Sequence, residues 1–181
     1  EGDDRALSVT EPITFTITEV NDAPVLNTAA DYALSTILED VAPSSNPGTT
    51  VATIIDPAGA FPGNITDPDD NATNDDPEGI AIVGTNEAAG GSWQYALAES
   101  PASWITIDVG AAGSGNAVLL RENDLVRFVP DPDFNSNFGT PLFVFRAWDQ
   151  TQGLPADATI AGTPGLFEVG EGVNITGSGT V

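Results

Sequence analysis

Between Asp67 and Gly79 the chain reads DPDDNATNDDPEG, with carboxylates at Asp67, Asp69, Asp70, Asp75, Asp76 and Glu78 and no basic residue among them. Like charges at this density repel, so the stretch is either a solvated acidic loop or a cation site. Counted from Asp67, positions 1, 3, 5, 7, 9 and 12 are Asp67, Asp69, Asn71, Thr73, Asp75 and Glu78. This is the ligand spacing of a calcium loop: a hard cation takes several oxygens, and alternate residues of a curled loop can turn theirs inward. The sixth position, where the sharp turn wants glycine, is Ala72, the eighth is Asn74, and no helical periodicity flanks the loop. Those departures exclude a helix–loop–helix calcium hand. A calcium site in a loop between strands stays open beside the solvated loop, with Asp70 and Asp76 as further oxygen donors.

Other residues offer binding chemistry. Asp149 and Gln150 follow an apolar run, in a loop after a rigid strand, where binding groups sit. Asp133 and Asn135, with Asp131, supply a second oxygen group, unless they only start turns. Asp149, Gln150, Asp133 and Asn135 are therefore the candidate ligand contacts. Trp93, Trp104 and Trp148 fall in predicted strands and are expected in the core, with a sugar platform as the alternative. Arg121, Arg127 and Arg146 are expected to cover apolar surface and pair with acids; alternatively, one clamps a ligand carboxylate. Catalysis is not expected. His, Cys and Lys are absent, which removes the common nucleophiles and bases.

The whole composition points the same way. The chain of 181 residues carries a net charge of -23. Phosphate backbones and anionic membrane surfaces repel such a chain, so nucleic acid and membrane insertion are excluded as partners and cations are favoured. The apolar fraction is an ordinary 40% and only 17% of residues are charged. Those values describe a folded domain with an acidic surface rather than a disordered chain. No disulfide framework exists without cysteine. No stretch is apolar enough to span a membrane, and no signal peptide is visible.

The elements that must hold these groups read as strands. PITFTITEV (Pro12 to Val20) alternates apolar and polar residues. TVATII, IAIVGT, SWQYAL, SWITIDV, AVLL, LVRFVP, LFVFRAW and GVNIT follow, rich in β-branched and aromatic residues. Gly90–Gly91, Glu122–Asp124 and Asp131–Asp133 are candidate turns. Short strands at this spacing predict an all-β, antiparallel β-sandwich. Two stretches, Asn27 to Gly48 and Pro57 to Gly79, are long and irregular, which for loops of that size suggests function or disorder.

Val20-Asn21-Asp22-Ala23-Pro24 after an alternating strand resembles the junction between tandem cadherin-like repeats of large bacterial surface proteins. Glu39-Asp40 resembles the acidic element after that junction, and Asp67-Pro68-Asp69 resembles the family's DPD element. GSWQYAL, SWITI, LLRENDLVRFVPDPDFN and FRAWDQTQG, within Ile80 to Gly153, resemble a module of giant repeats-in-toxin adhesins, which include calcium-dependent, peptide-binding domains. The resemblance implies a cadherin-like or Ig-like fold with long calcium-binding loops. It places Asn21, Asp22, Glu39, Asp67, Asp69 and Asp149 at calcium-binding or acidic-turn positions, beside Asn71, Asp75 and Glu78 from the spacing. The implied function is adhesion at the bacterial cell surface by a secreted monomeric module flanked by further repeats. Its ligand would be a peptide or protein on a target cell, with sugar second. A structural extender stiffened by calcium and a calcium-dependent lectin are the alternatives. Residues 1–22 would then be the final strand and linker of a preceding repeat, or a strand completing this domain, and 23–181 the binding domain.

Overall fold

The computed structural model describes residues 10–18, 20–59, 63–70, 78–86, 90–109 and 117–150, and the backbone of 172–176. Its regular structure is nearly all β, and every strand pair is antiparallel. One four-stranded sheet has β4 (Gly79–Thr85) between β7 (Val118–Arg121) and β9 (Leu142–Trp148), with β10 (Gly172–Thr176) outside β9. The other has β5 (Gly91–Ala96) between β6 (Ile105–Thr106) and β8 (Leu125–Pro130), with β2 (Thr49–Thr50) outside β8. A short third pair joins β1 (Val25–Leu26) to β3 (Ile65–Thr66).

Alternation decides which side chains enter the core. In β9, Phe143, Phe145 and Ala147 turn inward while Arg146 is exposed. In β5 and β8, Trp93 lies opposite Phe128, and both join the core. The two sheets meet where the Trp93 and Phe143 rings pack edge to face with centroids 4.9 Å apart. Strand β4 is buried on both faces: Ile80 and Ile82 enter the main core, and Ala81 packs with Leu119 and Trp148 on the other side. A strand covered on both faces reads as a continuous apolar run, as IAIV does.

Three predicted strands change. Residues 10–18 join no sheet, and Ile13, Phe15 and Ile17 are exposed. Their alternation is suited to a sheet edge, yet among the described residues none receives it. TVATII is not one strand. After Thr50 the chain turns into a short helix, α1 (Val51–Ile55), because the Thr50 hydroxyl accepts the Thr53 amide as an N-cap. SWITIDV keeps only β6 as strand. The irregular stretch Asn27 to Gly48 is anchored rather than loose: Tyr32 and Leu34 enter the core, and the Tyr32 ring meets Phe145 edge to face.

Candidate functional site

The β1–β3 pairing brings distant acidic segments together. Leu26 lies opposite Ile65 and Val25 opposite Thr66, so the residues before β1 meet those after β3. The Asp22 amide donates to Asp69 Oδ2 at 2.8 Å. The Asp69 amide in turn donates to Asp67 Oδ1 at 2.9 Å, closing an Asx turn. Strand β9 delivers the third segment. Asp149 follows Trp148, and its Oδ2 accepts Asn21 Nδ2 at 2.9 Å. Next to it, Gln150 takes a left-handed backbone, with φ 60°. That conformation is costly for a non-glycine residue and turns the chain sharply.

Like charges act on one another at this end. Burial pushes the Asp67 carboxyl above the usual carboxylate range; the Asp69 amide pulls it back, and the charges of Asp70, Asp69 and Asp149 push it up again. Two carboxylates of its own loop and one from a distant segment thus raise the cost of ionising Asp67. Among the described residues, no three acidic side chains stand close enough to hold a metal ion between them. The oxygens converge on one end without forming a closed cage. Asn71 and Asp75 lie outside the described residues, and Glu78 lies just before β4.

The remaining predicted residues gather elsewhere. Asn135 Nδ2 donates to Glu39 Oε2 at 2.9 Å, and the Asp133 amide donates to Asp40 Oδ1 at 2.9 Å. Asp40 and Asp133 both have left-handed backbones. Asp133 and Asn135 lie in the β8–β9 connection, before the start of β9, and Glu39 and Asp40 reach them from the stretch between β1 and β2, whereas Asp149 lies at the end of β9. Seven residues of strand separate the two ends, roughly 20 Å. The structure therefore groups Glu39 with Asn135 and Asp133, and puts Asp149 and Gln150 with Asn21 at the other end.

Beside the Glu39–Asn135 pair opens a cavity of about 680 Å³. Its lining is mainly apolar and includes Leu34, Ile37, Leu38, Trp93, Phe128 and Phe134. The Trp93 indole Nε1 is buried with no hydrogen-bond partner among the described residues. A buried donor left unpaired costs about 1–3 kcal/mol, so a ligand carbonyl or a water reaching it would be favoured.

Sequence reasoning did not anticipate the environment of Arg127. This side chain is only 6% exposed, and its guanidinium lies 3.8 Å from the Trp104 ring centroid. Its hydrogen bonds go to Gln94 Oε1 and to the carbonyls of Pro43 and Asn46, none of them a carboxylate. Alternation in LVRFVP sets Arg127 on the outer face of its sheet, opposite Gln94. Nothing in the sequence shows that Trp104 and the Pro43–Asn46 turn cover that face.

Compared with family models, with curated proteins and with solved structures, the chain matches none.

Proposed function

We propose that this chain is a calcium-dependent adhesion module of a bacterial surface protein, built as a cadherin-like β-sandwich and working outside the cell. One observation carries the calcium part: the Asp22–Asp69 and Asn21–Asp149 hydrogen bonds draw three distant, acid-bearing segments to one end. Asp67, Asp69, Asp149 and the Asn21 carbonyl oxygens would be its ligands only once the ion had drawn them closer than they stand, and it would offset the like charges around Asp67. Asp70 and Glu78 stand near enough in the chain to contribute. With few carboxylates fixed in advance, affinity is expected in the range of extracellular modules, about 10⁻⁴–10⁻³ M.

Two functions compete for the ion. The gathered acids sit at the Asn21–Asp22 linker, which favours an extender whose calcium stiffens the link to a neighbouring repeat. The apolar cavity beside Glu39 and Asn135 favours a binder, because it suits a large apolar peptide side chain better than a sugar. Trp93 Nε1 would donate to the peptide carbonyl. We place the binder first for that reason.

The test is retention on immobilised peptide and glycan panels in calcium and in EDTA, with melting temperature read in parallel. Peptide retention confined to calcium supports the binder. Calcium stabilisation without retention supports the extender, and calcium-dependent retention of neutral glycans supports the lectin. A melting temperature unchanged by calcium defeats all of them.

A further inference from the structure

A second cavity, of about 830 Å³, lies on the outer face of the β2–β8–β5–β6 sheet, and Arg127 and Trp104 both line it. Among the described residues its lining contains no aspartate or glutamate, although the chain has 27 acids, and Arg127 is the one charged residue there. The guanidinium is held rigidly: Nε and Nη2 donate to Gln94 Oε1 at 3.0 and 2.7 Å, and Nη1 donates to Pro43 O and Asn46 O at 2.8 and 3.0 Å. A guanidinium has five N–H groups. Among the described residues, one N–H of Nη2 therefore has no acceptor and the positive charge has no counter-ion. Burial lowers the Arg127 pKa, which reflects the cost of an uncompensated buried charge.

Trp104 is fixed as firmly. Gly48 has φ +77°, and a Cβ built there would stand 2.7 Å from Trp104 Cη2, so the ring packs directly on this backbone. Hydroxyls and amides dominate the polar lining, among them Ser35, Ser44, Asn46, Thr50 and Thr53. Asn46, Thr50 and Thr53 are already bonded within the protein, whereas the Ser35 and Ser44 hydroxyls face the cavity, and a polyhydroxylated ring meets them where an apolar acid offers no partner.

We propose that this cavity is a calcium-independent binding site for a carboxylate-bearing sugar ring, a uronate, whose carboxylate accepts the remaining Nη2 N–H of Arg127 beside Trp104. The ligand carboxylate neutralises the guanidinium in a partly dry site, where charge-assisted hydrogen bonds are strongest. The acids that give the chain its net charge lie outside the lining. At physiological salt their repulsion is screened beyond about 8 Å. The proposal does not rest on calcium binding at the opposite end of β9.

The test titrates galacturonate, a galacturonate trimer and neutral galactose into the full chain in EDTA, following the Trp104 indole N–H by NMR, with Trp104→Phe assigning the resonance. Galacturonate or its trimer should move that resonance saturably, and galactose should bind at least tenfold more weakly. The monomer and trimer separate a free sugar acid from a polysaccharide as the source. Because Arg127→Gln risks unfolding, the deciding variant is Ser44→Glu, which puts a carboxylate on the exposed rim beside Pro43 and should weaken uronate binding at least tenfold while the fold persists. Equal binding of galactose and galacturonate, no saturable shift with either acid, or full affinity in Ser44→Glu overturns the proposal.

Discussion

At one end, the charges of Asp70, Asp69 and Asp149 act on the partly buried carboxyl of Asp67. On the outer sheet face, Arg127 is buried among neutral acceptors. Each region holds a charge that burial penalises. The two regions solve the problem differently. Arg127 is enclosed and stabilised by neutral acceptors and an aromatic face, so it is part of the packing. The carboxylates stay partly exposed, and amides of Asn21, Asp22 and Asp69 donate to them. Removing the arginine should therefore damage the fold, whereas removing a carboxylate should relieve it.

The largest expected effect tests the first half of that contrast. Arg127→Ala strands the Pro43 and Asn46 carbonyls and uncovers Trp104, and should cost about 3 kcal/mol or more in denaturant unfolding. A loss below about 1 kcal/mol would mean the guanidinium is less enclosed than described. Gly48→Ala comes next. It combines left-handed strain with the contact on Trp104 and should cost about 1–3 kcal/mol. Stability unchanged by this variant would show that Trp104 moves freely.

The acidic end should respond with the opposite sign. In calcium-free buffer, Asp67→Asn keeps an acceptor for the Asp69 amide but removes a like charge. It should raise stability by a few tenths of a kcal/mol, a small gain because exposed charges are screened. A loss instead would make the Asp67 charge structural. Tyr32 is the neutral reference. Burial pushes its hydroxyl up to about 12, and that hydroxyl donates to Asn27 O at 2.9 Å. The unfolded tyrosine ionises near 10. Its contribution is therefore complete below about pH 10 and is lost as pH rises from about 10 to about 12. Unfolding measured across that window should show a slope that Tyr32→Phe reduces, Tyr95, whose hydroxyl burial also pushes up, supplying the rest; an identical slope in both proteins would contradict the assignment.

The central strands were legible because their side chains follow a period of two. IAIVGT, SWQYAL, LVRFVP and LFVFRAW become β4, β5, β8 and β9 with boundaries shifted by little. PITFTITEV carries the same signal but joins no sheet among the described residues, since period alone does not say which edge accepts a strand. In TVATII, local capping by Thr50 outweighed β propensity. The meeting of Asn21 and Asp22 with Asp69 and Asp149 spans 47 and 128 residues. Spacing within one loop cannot show this; the β1–β3 register produces it, and β1 and β3 are too short to announce themselves. Arg127 was hidden for a related reason: its cover comes from a turn and a tryptophan far away in sequence.

The most direct measurement of the central claim is calorimetric titration of calcium into the EDTA-stripped chain and into Asp67→Asn/Asp69→Asn, with thermal unfolding of each. The native chain should bind calcium saturably. At a free concentration of a hundred times Kd it should gain about 2.7 kcal/mol of stability, and the double variant should lose most of both effects. No saturable heat and no thermal shift in the native chain, or full binding in the double variant, would contradict a calcium site at this end.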